Sequence, residues 1–147
     1  DHMLDFARQH QGKPYRYGAQ GPNSFDCSGF TRYCYKQLGI ELKRQSGQQA
    51  QQGKKISRSR LKEGDLVFFR ETKGRKIGHV GIVSKKKPGK HFEFIHASTS
   101  SGIVIEKSNT KYFDKRYKTA RRITSDRELK KDEKQKKKND KRLRARR

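Results

Sequence analysis

The residues best suited to chemistry in this chain are its two cysteines and five histidines. Cys27 stands in the string Phe-Asp-Cys-Ser-Gly-Phe, at the predicted start of a helix that Ser24 or Asp26 can cap. The positive end of a helix dipole favours a thiolate over a thiol, and the thiolate is the attacking form in acyl transfer. Cys27 is therefore the candidate nucleophile.

A nucleophilic thiol also needs a base, and His79 and His96 both lie in strand-like runs. If these strands are neighbours, the two imidazoles lie side by side on the face that packs against the Cys27 helix. One histidine would then take the thiol proton and the other would orient it, as in acyl-transfer enzymes. The sequence also allows a structural interpretation, in which all three side chains only fill the fold.

The second cysteine is assigned a structural role. Cys34 is seven residues from Cys27, which is about 10.5 Å along a helix. A disulfide needs Cα atoms within about 7 Å, so both thiols are expected to be free. Cys34 lies on the predicted buried stripe of that helix, which comprises Phe30, Tyr33, Cys34, Gln37 and Leu38. No histidines stand at zinc-finger spacing beside the cysteines, so no metal is expected, and the remaining histidines are expected at the surface: His2, His10 and His91.

Helical patterns come first in the chain and strand patterns follow. Helices are predicted over 3–11, from the cap at 24–26 to Gly39, and over 46–52, with a loop over 12–24. Strand-like runs occur at 65–70, 77–84, 91–98, 102–107 and 118–123. This order predicts an α+β fold, with N-terminal helices packed on a five- to six-stranded antiparallel sheet.

Charge separates the 147 residues into a predicted domain, 1–125, and a predicted disordered tail, 126–147. The tail has 12 Lys or Arg against 5 Asp or Glu, and few apolar residues to bury. The domain is itself strongly basic, since the whole chain carries a formal charge of +24. This charge favours anionic partners, such as envelope polymers, acidic lipid or nucleic acid. The chain has no helix-turn-helix signature and no RNP-like strand, which argues against nucleic acid.

Four strings occur in order along the chain: FDCSGF, GDLVFF, GHVGIV and FIHAS. Together they resemble the NlpC-type family of bacterial cell-wall cysteine peptidases, which have a papain-like fold, and the similarity runs from about Tyr15 to Ile123. The resemblance implies a Cys-His-His triad, with Cys27 as nucleophile, His79 as base and His96 as orienting residue. It further implies hydrolysis of peptidoglycan stem peptides between γ-D-glutamate and a diamino acid such as meso-diaminopimelate, through a thioester acyl-enzyme and without a cofactor.

The same resemblance implies three substrate-binding residues. Tyr17 matches a tyrosine that lines the groove near the oxyanion position, and Asp26 and Ser28 flank the nucleophile. A carboxylate at position 26 can hold a free stem-peptide amine, or it can simply cap the helix. A second stretch of the family motif is interpreted as scaffold beside the groove, namely Arg44, Ser46 and Gln49.

Because peptidoglycan is built outside the cytoplasmic membrane, the expected location is the periplasm, the cell envelope or the outside of the cell. No run approaches the roughly 18 apolar residues of a membrane-spanning helix. Two alternatives stay open: an amidase or acyltransferase on the same scaffold, and a basic nucleic-acid-binding protein.

Overall fold

The computed structural model describes residues 2–124, so the predicted tail lies outside the described residues. Its elements are α1 (His2–Arg8), α2 (Cys27–Lys36), α3 (Ser46–Gln49), β1 (Lys54–Lys55), β2 (Leu66–Arg70), β3 (Ile77–Lys86), β4 (Phe92–Ser98), β5 (Gly102–Lys107), α4 (Lys111–Arg116) and β6 (Tyr117–Arg122). The six strands form one antiparallel sheet in the order β1-β6-β2-β3-β4-β5. The predicted α+β architecture is confirmed. None of the helices in residues 2–124 has the length and apolar character needed to cross a membrane.

The sheet is buried on both faces, and this explains why its central strands read as nearly continuous apolar runs. The N-terminal helices cover one face, where Phe30 and Cys34 of α2 pack against Phe68, Val80 and Ile82. The other face carries a second, mostly aromatic cluster, built around Phe69, Phe92, Phe94, Phe113 and Tyr117. Alternate residues of β2 and β3 therefore enter different clusters, as a strand requires.

Helix α2 begins where the sequence predicts and ends earlier. The Asp26 carboxylate caps it by accepting the Gly29 N–H at 2.7 Å. Because the last helical residue is Lys36, the expected buried positions Gln37 and Leu38 are exposed, Leu38 by 41%. Cys34 has no exposed surface and its thiol is free, as predicted.

His10 is not the surface residue that the sequence suggested. It is only 6% exposed, and its Nδ1 lies 2.8 Å from the carbonyl oxygen of Phe6. Its ring packs against those of Phe6, Phe25 and Tyr33. A turn after α1 folds His10 back over the aromatic cluster beneath it. His2 and His91 are exposed, as expected.

Candidate active site

Cys27 is the first residue of α2 and lies beside the start of β3. Its Sγ is 3.9 Å from the carbonyl oxygen of Gly78, and the N–H of Val80 is placed to stabilise a thiolate. Burial raises the pKa of the Cys27 thiol, the Asp26 carboxylate raises it further, and the N–H groups of Val80 and Ser28 oppose both effects. The balance favours the thiol, so the helix dipole does not supply the expected thiolate and a base must remove the proton.

His79 on β3 and His96 on β4 are joined directly. His79 Nε2 lies 2.7 Å from His96 Nδ1, and the two rings are nearly perpendicular. This bond leaves Nδ1 of His79 as the nitrogen available to another partner. The predicted neighbouring imidazoles are therefore present on adjacent strands.

The imidazoles project from the opposite face of the sheet to the one the sequence suggested. The His79 ring contacts Phe69, and the His96 ring contacts Phe94 and Phe113, all members of the cluster remote from α2. Residues 80 and 82 point towards α2, so alternation sends His79 the other way. At the start of β3, the Cys27 thiol contacts the backbone on both sides of His79, through the Gly78 carbonyl oxygen and the Val80 N–H.

Both imidazoles are neutral at pH 7. Burial lowers the pKa of His79 to about 4. Burial, and then the neighbouring His79, lower the pKa of His96 to about 2. A neutral imidazole has a free lone pair, so this pair can accept a proton.

Glu106 on β5 extends the chain of contacts. Its Oε1 lies 3.2 Å from His96 Nε2, and burial raises the pKa of this carboxyl group. Val104 is the residue directly opposite His96 in the β4–β5 register, so Glu106 is the diagonal neighbour on the same face. The sequence analysis missed Glu106 because a charge near the end of a strand resembles an ordinary surface residue.

A groove of about 950 Å³ opens over Cys27, and Tyr15, Tyr17, Asp26 and Ser28 are among its lining residues. Tyr17 is 91% exposed. Tyr15, which was not expected from the sequence to take part in the site, also lines the groove, and burial and then Cys27 raise the pKa of its phenol.

A second cavity of about 630 Å³ opens on the other side of Gly78 and is lined by His79, His96 and Glu106. Gly78 and Glu71 line both spaces, so the groove over Cys27 and the cavity at the imidazoles adjoin at these residues.

Asp26 is only 8% exposed and its carboxylate is fully engaged. Besides capping Gly29, it accepts the Gly18 N–H at 3.1 Å and two guanidinium N–H groups of Arg44, at 2.6 and 3.2 Å. Arg44 also donates to Ser28 Oγ at 2.9 Å. The cap interpretation of Asp26 therefore holds, and the same carboxylate fixes the 15–18 loop at the groove.

Gln49 holds the helix turn that begins with Cys27. It is fully buried, and its amide donates to the carbonyl oxygens of Ser28 and Lys43 at 3.1 and 2.8 Å. Its Oε1 accepts the Thr31 hydroxyl at 2.8 Å. Arg44 and Gln49 thus hold the first turn of α2, as the scaffold interpretation expected, and Ser46 lies on the groove wall.

A family model described as the NlpC/P60 family matches residues 12–122. The chain belongs to the NlpC/P60 family. This is a family of cell-wall peptidases, and its members are cysteine peptidases. Within residues 2–124, no three or more His, Cys, Asp or Glu side chains are grouped so that they could hold a metal ion.

Curated relatives agree with this assignment. Over 124 residues, the chain is 42% identical to the murein DD-endopeptidase MepS/murein LD-carboxypeptidase of Escherichia coli K12, covering 84% of this chain and 62% of that protein. It is 39% identical over 113 residues to a probable endopeptidase NlpC homolog of Haemophilus influenzae, covering 76% of this chain and 56% of that protein. The chain thus spans about three fifths of the length of these relatives.

Solved structures agree on the fold. An NlpC/P60 family protein from Bacillus cereus has a TM-score of 0.76 at 30% identity, covering 84% of this chain and 39% of that one. The NlpC/p60 domain of the peptidoglycan hydrolase SagA has a TM-score of 0.68 at 31% identity, covering 82% of this chain and 96% of that one. The predicted papain-like fold is confirmed.

Proposed function

We propose that this chain is a cysteine endopeptidase that hydrolyses peptidoglycan stem peptides, with Cys27 as nucleophile, His79 as base and His96 as orienting residue. The observation that carries the proposal is the joined pair His79–His96 beside the Cys27 helix start, with Gly78 bordering both sides of the site. The family of the chain, a family of cell-wall peptidases, supports this assignment.

In the proposed reaction, Cys27 Sγ attacks the amide carbonyl carbon while its proton passes to Nδ1 of His79. The imidazolium of His79 then protonates the leaving nitrogen, the C–N bond breaks, and a thioester remains on Cys27. Water, deprotonated by His79, attacks the thioester and releases the acid and the thiol. The raised pKa of the Cys27 thiol and the lowered pKa of His79 indicate that the reaction starts from a neutral thiol and a neutral imidazole.

The tetrahedral intermediate needs donors for its oxyanion. The N–H groups of Cys27 and Ser28 at the start of α2 interact with the sulfur, so they lie close to the reacting carbon. The Tyr15 hydroxyl is a side-chain donor that lines the same groove and interacts electrostatically with Cys27. We assign these groups to oxyanion stabilisation.

The groove also supplies contacts for the substrate. We assign Tyr17, Asp26 and Ser28 to the wall beside the nucleophile. Since Asp26 already accepts four N–H groups, two of them from the Arg44 guanidinium, its contribution is to hold the loop in place. The opposite rim is cationic, with Arg75, Lys76 and Lys118, and suits the carboxylates of a stem peptide. These contacts are compatible with hydrolysis of either of two bonds in the substrate.

The first candidate bond is the one between γ-D-glutamate and meso-diaminopimelate, as the sequence motifs imply. The second follows from the name of the Escherichia coli relative, which describes a DD-endopeptidase and an LD-carboxypeptidase. Mass analysis of muropeptides incubated with the purified chain separates the two, because each bond gives different fragments. Release of intact stems from the glycan would instead identify an amidase, transfer to an added amine an acyltransferase, and the absence of products a binding protein.

We place the protein at the cell envelope, in the periplasm or outside the cell, where this substrate lies. Its charge of +24 would favour adhesion to anionic envelope polymers through the basic surface and the 126–147 segment. No cofactor or metal takes part in the proposed steps.

A further inference from the structure

Glu106 ends a line of three side chains, after His79 and His96, next to the backbone that Cys27 contacts. Its carboxylate contacts His96 Nε2 at 3.2 Å, while the other nitrogen of His96 contacts His79 Nε2 at 2.7 Å. These two contacts account for both ring nitrogens of His96, whose side chain is buried with only 2% exposure. Glu106 thus touches the orienting histidine from the side opposite to His79.

The direction of each hydrogen bond in this line follows from the chemistry at its end. An ionised carboxylate only accepts, so Nε2 of His96 must carry the proton in its contact with Glu106. A neutral imidazole carries one proton, so Nδ1 of His96 must accept, and Nε2 of His79 must donate to it. Nδ1 of His79 is then left without a proton, with its lone pair free.

The reverse arrangement would defeat the base. If the group at position 106 donated to His96, then Nδ1 of His96 would donate to His79, and the single proton of His79 would lie on Nδ1. That nitrogen could not accept the thiol proton of Cys27. The two hydrogen bonds seen in the structure are compatible with both directions, and the charge on Glu106 is what selects between them.

We propose that Glu106 is a positioning residue that fixes the tautomers of His96 and His79, so that Nδ1 of His79 is free to take the Cys27 proton. The inference rests on the proposed function for its catalytic consequence, although the tautomers themselves do not depend on it. The negative charge of the same carboxylate also stabilises the positive charge that appears on His79 after proton transfer.

Two arginines border the same cavity and have separate partners. Arg70 donates to the carbonyl oxygen of Lys115 at 2.9 Å. Arg116 donates to the carbonyl oxygen of Tyr112 at 3.1 Å and lies over its ring. Among the described residues, the side-chain contact found for Glu106 is its hydrogen bond with the neutral His96.

The test compares Glu106→Leu and Glu106→Gln with a matched control, Glu93→Gln. Glu93 lies on β4 with similar side-chain exposure, 23% against 33%, and its ion pair is with Lys87, away from the histidines. Nitrogen NMR of histidine-labelled protein reports the tautomers, and steady-state hydrolysis of a soluble muropeptide reports kcat and KM separately.

We expect the Nε2–H tautomer at His79 and His96 in the wild type and in the control. In Glu106→Leu, Nδ1–H signals should appear, and kcat should fall roughly three- to tenfold, the equivalent of one ordinary hydrogen bond, with KM unchanged. Glu106→Gln keeps an acceptor oxygen, so its share of Nδ1–H tautomer and its kcat should lie between those of the wild type and those of Glu106→Leu. It is nearly the same size as glutamate, so it decides the question if the leucine variant does not fold.

Unchanged tautomers together with unchanged kcat in the Glu106 variants would overturn the inference. A change in KM alone would also overturn it, because it would make Glu106 a substrate contact. Altered tautomers in a protein whose wild type hydrolyses no muropeptide would support the positioning role and refute the proposed function, so the two failures are distinguishable.

Discussion

The buried, neutral state of His96 makes the protein sensitive to acid, and the size of the effect can be worked out. The pKa of His96 is about 2 in the folded protein and returns to about 6.5 on unfolding. Below pH 6.5 the unfolded chain therefore binds a proton that the folded protein does not, and stability is lost as the pH falls. Each pH unit costs about 1.4 kcal/mol per group, so lowering the pH from 7 to 5 should remove about 2 kcal/mol through His96.

Denaturant unfolding at the two pH values measures this loss, and His96→Asn removes the group responsible. The wild type should lose about 2 kcal/mol more than His96→Asn between pH 7 and pH 5. His91→Asn is the matched control, because His91 is an exposed histidine immediately before β4 and its replacement should leave the wild-type loss intact. Equal losses in the wild type and His96→Asn would show that His96 is charged or hydrated in the folded protein, and would refute this reasoning.

Three further predictions concern the thiols, the groove scaffold and the basic segment. Iodoacetamide should label the partly exposed Cys27 well before the buried Cys34, at a rate that rises with pH, because burial raises the thiol pKa; comparable rates at both would contradict this. Arg44→Ala should cost about 1 kcal/mol by removing two N–H groups from Asp26, and calorimetry showing an unchanged Tm would count against it. Deleting 126–147 should weaken retention of the protein on insoluble cell wall, most clearly at low salt, since the Debye length falls from about 10 Å at 0.1 M to about 3 Å at 1 M. Equal retention of the full-length and truncated proteins at both salt concentrations would reject adhesion through this segment.

The strands were predictable because their apolar runs are bounded by turn residues, and each observed strand from β2 to β6 overlaps a predicted one. The helix at Lys111–Arg116 was missed because it is short and mostly charged, so it has little apolar periodicity. Strand β1 was missed because it consists of two lysines and is defined by its pairing with the distant strand β6, which the local sequence does not show.

The contact between His79 and His96 was predictable from the sequence, and the sheet face on which they lie was not. Cys27, His79 and His96 stand in recognisable strings, and the structure joins the two histidines. The prediction that the imidazoles lie on the sheet face covered by α2 was wrong, because both faces of β3 are buried and apolar residues alone do not distinguish them. Glu106 was missed for a related reason, because its contact with His96 depends on the register between β4 and β5.

The central claim, thiol-dependent hydrolysis of stem peptides at Cys27, is tested most directly by mass spectrometry of muropeptides digested with three proteins. Wild type and Cys34→Ala should both convert the substrate to two fragments that together have gained one water. Cys27→Ala should give none, although its fold is intact by circular dichroism. Cys34 is the matched control, since it is the other free cysteine of α2 and lies in the core. Fragments from Cys27→Ala at the wild-type rate would contradict the account.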